Sequence, residues 1–203
     1  VTIDIAGRLP TAEEAEAFAA DDTEGRRDMA IERLLESGSY ADYFTNKWAS
    51  LLRNKKTKAT YELGTFSFHD WLREMIHTNA PYDQIVRNVV AASGDLRSNP
   101  GVVWYRSVNK TEQQVEDSAQ LFLGMRIQCA RCHHHPFERW SQKDYYSYQA
   151  FFSRVGRKKN PDGLADAERV FHNRGKASAK NPRSGETLSP AGLGGKPLDL
   201  TPD

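Results

Sequence analysis

The two cysteines of the chain lie three positions apart, and a histidine follows the second one directly. Residues 128–137 read QCARCHHHPF, so that Cys129, Cys132 and His133 form the pattern Cys-x-x-Cys-His. This segment constrains the fold most, because one helical turn must bring both thiols to one side. The pattern is typical of covalent c-type haem attachment, in which two thioethers hold the porphyrin. His133 is then predicted to be the proximal ligand of the iron.

Three other interpretations of this segment stay open. A Cys-x-x-Cys pair can be a thiol-disulfide centre, although such centres have a strand-helix, thioredoxin-like context and helices are predicted on both sides here. A zinc ion could instead take Cys129, Cys132 and two of the three histidines 133–135, although structural zinc usually draws two ligands from a distant segment. Both thiols could also be buried with no cofactor at all.

Composition excludes some functions and leaves others open. The 203 residues carry a formal net charge of +1, from 28 Lys and Arg against 27 Asp and Glu, so no nucleic-acid partner is predicted. Basic residues gather at 53–58 and 154–159, and we interpret both clusters as solvated loops that could also face an acidic redox partner. No apolar run has the length of a membrane span, and no signal peptide is visible.

The haem motif also predicts where the protein works. Haem c is attached on the outer side of the cytoplasmic membrane, so the protein is expected to be periplasmic or secreted. The chain begins with Val1 rather than Met, and we interpret it as a piece whose targeting segment lies outside this sequence.

Apolar periodicity predicts a mostly α, multi-helix bundle-like haem domain over residues 1–155, with the motif between two helices. Capping boxes are predicted at 11–14, 111–114 and 141–144, and Gly38 is predicted to end a helix over 25–36. Residues 102–105 are predicted to be extended. Residues 156–203 are rich in Gly, Pro, Lys, Ser and Asn, which predicts an irregular extension in which 169–172 and a turn at 181–185 form one β-hairpin.

A haem held by this motif would need a sixth iron ligand or would keep an open face. The candidates for the distal ligand are two methionines and three histidines: Met75, Met125, His69, His77 and His172. Met75 also fits core packing, and His77 fits a helix C-terminus without any metal. Met125 precedes Cys129 by only four residues and would sit on the proximal side.

His135 lies two residues beyond His133 and cannot easily reach the opposite face of the same ring. It is therefore predicted either to hydrogen-bond a haem propionate or to brace the loop. A purely structural role for His135 is an equal alternative.

The distal face is the side of the haem opposite His133, and whether the iron has a ligand there decides between two functions. A six-coordinate iron suits electron transfer, whereas an open face would permit small-molecule binding or peroxidase-like or oxidase-like chemistry. An electron carrier is favoured over a catalyst because no other catalytic constellation stands out. The partner would then be a redox protein or a flanking domain of the parent chain. The alternative is a structural zinc or thiol-redox module that serves as an interaction domain of a larger protein.

Several stretches carry a family resemblance. They are RLPTAEE at 8–14, HDWL at 69–72, NAPYDQIVR at 79–87, the segment 119–137 with its continuation WSQKDYY at 140–146, FFSRVGRK at 151–158, NPRSGE at 181–186 and LGG at 193–195. Together they resemble the planctomycete cytochrome-C-type domains of unknown function that form the N-terminal part of larger secreted proteins. The resemblance covers most of the chain and implies a secreted or periplasmic c-type haem protein. The family usually has Asp or Asn where this chain has His134, and commonly Arg in place of His69.

Overall fold

The computed structural model describes residues 1–58, 61–159 and 168–199. Most of these residues that have regular structure are helical, and the strands form only two short antiparallel pairs, which confirms the predicted mostly α fold with a small β part. The helices are α1 (Thr2–Ala6), α2 (Ala12–Ala20), α3 (Arg26–Leu35), α4 (Gly38–Leu51), α5 (Glu62–His77), α6 (Tyr82–Val90), α7 (Trp104–Ser107), α8 (Thr111–Leu123) and α9 (Gln142–Gln149). The strands are β1 (Val155–Lys159), β2 (Glu168–His172), β3 (Ala179–Lys180) and β4 (Thr187–Leu188).

The chain divides into two compact units, Val1–Ile85 and Val86–Asp203. The predicted boundary at residue 155 follows the composition of the sequence rather than packing, and it stays a prediction. No helix among residues 1–58, 61–159 and 168–199 is long and apolar enough to cross a membrane.

In the first unit, α2 begins with the predicted capping box. The hydroxyl of Thr11 accepts a 3.1 Å bond from the Glu14 amide, and the Glu14 carboxylate accepts a 2.8 Å bond from the Thr11 amide. The prediction for Gly38 is wrong, because this glycine is the first residue of α4. Ser37 caps α4 by accepting from the Tyr40 amide, so the new helix starts directly after α3.

Helices α4 and α5 form the main packing contact of the first unit. The buried residues of α4 are small, Ala41, Thr45 and Ala49, whereas α5 buries Gly64 and the larger Phe68, Leu72 and Ile76. Small side chains on one helix allow close approach of bulky ones on the other. The aromatic residues of α4 are only partly buried and lie beside this contact, as the ring pairs Tyr40–Phe44 and Tyr43–Phe44 show.

In the second unit, the prediction that residues 102–105 are extended is wrong. Asn99 accepts a 3.2 Å bond from the Gly101 amide and starts a 3-10 turn, Pro100–Val103, which continues directly into α7. Pro at the first position of the turn fits this start, because its missing N–H has no partner to lose. Trp104 and Tyr105 on α7 are buried.

The predicted single hairpin is replaced by two. Strand β2 pairs with β1, with Phe171 opposite Gly156, so its partner lies before it in the chain. The turn at 181–185 instead joins β3 to β4. Both short strands of this second hairpin pack against α9, which places the C-terminal segment next to the helix that follows the Cys-His motif.

Candidate functional site

The Cys-x-x-Cys-His segment connects α8 to α9, as predicted. Helix α8 ends at Gly124, which has φ 68° and donates its amide to the carbonyl of Ala119. The predicted capping box at its start is shifted by one residue: Lys110 is the N-cap, and its amide donates to the side chain of Gln113 at 3.2 Å. The left-handed Gly124 turns the chain out of α8 and into the motif.

The motif begins in a 3-10 turn, Gln128–Arg131, that ends at Cys132, and this turn has one buried and one exposed side. Ile127 and Ala130 are fully buried in the core of the second unit, whereas both Cys129 and Cys132 are exposed free thiols. Residues three apart in a 3-10 turn eclipse one another, so the two cysteines share the outward side. The expectation of buried thiols without a cofactor therefore does not match their position.

The turn is fixed to α9 through the backbone carbonyl of Arg131. This carbonyl accepts a 3.1 Å bond from the hydroxyl of Tyr146 and another of 3.1 Å from the side-chain amide of Gln142. Burial raises the pKa of Tyr146, so its phenol stays protonated and remains a donor. The two α9 side chains thus hold the peptide between the two cysteines in place.

A second tyrosine joins α9 to α8. The hydroxyl of Tyr145 donates to Glu116 at 3.1 Å, and burial, reinforced by the negative charge of Glu116, raises the pKa of Tyr145. Asp144 completes the predicted capping box at the start of α9, and both tyrosines are buried. The hydrogen bond from Tyr146 to the motif was not foreseen, because no sequence spacing marks a side-chain to backbone contact across 15 residues.

The geometry of His133 defines its tautomer. Its Nδ1 lies 2.7 Å from the backbone carbonyl oxygen of His134. A carbonyl oxygen only accepts, so Nδ1 carries a proton, and in the neutral ring Nε2 then has the lone pair. An imidazole with this tautomer has Nε2 ready to coordinate a metal, and the side chain is exposed.

His135 has the opposite tautomer and braces a loop. Its Nδ1 accepts from the amides of Phe137 at 3.3 Å and Glu138 at 3.1 Å, so the neutral ring carries its proton on Nε2. The His135 amide also donates to the Trp140 carbonyl at 2.8 Å, which closes the loop. These contacts are consistent with loop bracing and equally with the purely structural alternative, and the hydrogen bond to a propionate stays a prediction.

The distal candidates lie in both units. In the first unit, His69 donates from Nε2 to Asn46 at 3.3 Å, His77 is exposed at the end of α5, and Met75 lines a cavity of about 400 Å³. In the second unit, Met125 is partly buried and packs against the core, and His172 is exposed on β2. None of these positions identifies a sixth ligand, so the distal assignment stays a prediction.

No three His, Cys, Asp or Glu side chains within residues 1–58, 61–159 and 168–199 are grouped as a metal ion would require. Cys129 and Cys132 are exposed free thiols, and His133, which directly follows them, is also exposed.

The fold and this site describe a mostly helical protein with an exposed Cys-x-x-Cys-His turn. A family model matches residues 1–157, and the chain belongs to that family, PSCyt2, described as a protein of unknown function (DUF1549). The match includes the motif and all of the helices in the described part of the chain. No curated protein and no solved structure matches the chain.

Proposed function

We propose that this chain is a c-type haem-binding protein that transfers electrons in an extracytoplasmic redox system. The observation that carries the proposal is the combination of two exposed thiols on one side of a single turn with a histidine whose Nε2 is free. Cys129 and Cys132 would hold the porphyrin through thioethers, and His133 would ligate the iron from the proximal side. When bound, the group supplies one-electron redox chemistry.

The residues around the motif would keep this arrangement rigid. The bond from Tyr146 to the Arg131 carbonyl fixes the turn that carries both thiols. The bond from His133 Nδ1 to the His134 carbonyl fixes the direction of the imidazole and raises its basicity as a ligand. A rigid ligand set keeps the structural change between two oxidation states small, which suits electron transfer.

The location and the partner follow from the same chemistry. Thioether attachment takes place outside the cytoplasmic membrane, so we place the protein in the periplasm or outside the cell. Its electron partner would be a separate redox protein or a flanking domain of the parent chain. A six-coordinate iron would make the protein a carrier, and an open distal face would allow redox catalysis.

A reduced-minus-oxidised visible spectrum combined with a potentiometric titration tests the proposal. The protein would be exported to a bacterial periplasm together with cytochrome c maturation factors. We expect the α and β bands of a c-type haem and reversible uptake of one electron. His133→Ala should alter the spectrum of the reduced iron, whereas His134→Ala should leave it unchanged because that side chain is not the proposed ligand. A colourless protein with stoichiometric zinc would support the interaction-module alternative instead.

A further inference from the structure

A cleft of about 710 Å³ opens in the second unit beside Cys132. Its lining comes from the motif turn, from the start of α8, from α9 and from residues 178–183. The charged residues of this lining are three cations and one anion: Arg131, Lys180, Arg183 and Glu112. The lining therefore has an excess of two positive charges, and it also contains the apolar surfaces of Tyr146, Ala179 and Pro182.

The segment that supplies Lys180 and Arg183 has a defined shape. Asn181 is 5% exposed, and its side-chain oxygen accepts from the amides of Arg183 at 2.9 Å and Ser184 at 3.3 Å. The amide of Asn181 also donates to the carbonyl of Glu186 at 2.9 Å. A buried asparagine that organises its own turn fixes the backbone from which the exposed Arg183 side chain projects.

The backbone of Arg131, the third cation of the lining, is also held in place. The backbone of Arg131 is held by Tyr146 and Gln142, and its guanidinium lies 3.9 Å from Glu116, at the far limit of an ion pair. Its side chain is 48% exposed, so it can turn towards a ligand at small cost. The start of α8 also lines the cleft, through Thr111 and Glu112.

We propose that this cleft binds a pair of carboxylates carried by one organic ligand. Arginine and lysine around a concave site favour anionic groups, and the apolar part of the lining accommodates the body of the ligand. Two sources share this chemistry: the two propionates of a haem attached at Cys132, and a free di- or tricarboxylate. The first source rests on the function proposed above, whereas the second does not. Residues 178–183 lie outside the matched range 1–157 of the family model.

Citrate binding and the reduction potential together test the proposal. The variant would be Lys180→Gln with Arg183→Gln, and its control would be Lys176→Gln with Lys196→Gln, which removes the same charge from exposed residues outside the cleft. Calorimetry would measure citrate binding to the full chain with and without attached haem. Loss of two charged donors should weaken citrate binding at least about tenfold, and the control should bind as the wild type does.

The two sources give different results. If propionates occupy the cleft, haem attachment abolishes citrate binding. The variant with Lys180→Gln and Arg183→Gln then has a lower reduction potential than the control, because two nearby positive charges no longer favour the reduced iron. If a free carboxylate is the ligand, the protein binds citrate equally with and without haem. The proposal is overturned if the haem-free chain does not bind citrate and the variant leaves the potential unchanged. If no haem can be attached at all, the proposed function fails, and citrate binding alone still decides this inference.

Discussion

The hydroxyl of Tyr146 donates a 3.1 Å hydrogen bond to the backbone carbonyl of Arg131, the residue between the two cysteines of the motif that directly precedes Cys132. Tyr146 belongs to the buried core, whereas the thiols are exposed. The bond therefore connects the stable interior of the second unit to the part of the chain that we propose does the chemistry. Gln142 donates to the same carbonyl, so α9 holds the turn at one atom through two side chains.

Tyr146→Phe should lower the free energy of unfolding by about 1 kcal/mol, because one hydrogen bond from a largely buried hydroxyl is lost while the ring stays packed. Urea denaturation of the haem-free protein measures the change. Tyr82→Phe is a suitable control because this ring is 49% exposed, and we expect no measurable effect there. Equal free energies of unfolding for the Tyr146 variant and the wild type would show that this hydrogen bond does not stabilise the protein.

His135→Ala should loosen the loop that follows the motif, because the Nδ1 acceptor of two amides is removed. Hydrogen exchange at the amides of Phe137 and Glu138 should become about five to ten times faster, as expected for about 1 kcal/mol of local stabilisation.

His135→Asn serves as the matched control for the loop. A short amide side chain offers an acceptor at a similar position and favours the same kind of turn. Exchange at the two amides should then stay within about threefold of the wild type, since both amides keep an acceptor and only the geometry of their hydrogen bonds changes. Fast exchange in the Asn variant and slow exchange in the Ala variant would contradict the role that we give to Nδ1.

Glu14 gives a prediction on pH in the first unit. The hydrogen bonds from the Arg8 guanidinium, and then the bond from the Thr11 amide, lower the pKa of Glu14 from 4.5 to about 2. A carboxylate with a lower pKa in the folded than in the unfolded chain contributes stability above about pH 4.5, and this contribution is lost as the pH falls towards 2. The Arg8 and Glu14 side chains are 37% and 31% exposed, so solvent screens the pair and the effect on stability is small.

An NMR titration of the Glu14 side chain checks this pKa directly. The Arg8→Gln variant should bring the Glu14 pKa back towards its ordinary value, since the leading cause of the shift is gone. Arg27→Gln, which removes a nearby cation that causes no part of this shift, should leave the titration unchanged. A normal Glu14 pKa in the wild type would disprove the contact.

The elements with strong local signals were predicted from the sequence. Thr11 and Ser141 cap their helices through bonds within four residues, as the predicted capping boxes require. Each of these features depends on neighbours in the sequence, so the residue types alone are sufficient. The same local rule failed at Gly38, because Ser37 provides a competing cap for the next helix.

The features that depend on distant residues were not predicted. The partner of β2 is β1, which precedes it in the chain, and composition does not identify such a pairing. The bond from Tyr146 to Arg131 and the approach of Arg183 to the cleft beside Cys132 likewise depend on tertiary packing. The Cys-x-x-Cys-His pattern itself was visible in the sequence, because Cys129, Cys132 and His133 lie within five positions and need only one turn. The chemistry of the pattern stays a prediction.

The mass of the intact protein after export with cytochrome c maturation factors is the most direct test of the central proposal, that Cys129 and Cys132 hold a haem. We predict the mass of the polypeptide plus one haem, retained after denaturation. Cys129→Ala and Cys132→Ala should each leave a single thioether with lower yield, and the double variant should carry no covalent haem. A wild-type protein with the mass of the bare polypeptide, or with only an added zinc ion under native conditions, would contradict the proposal.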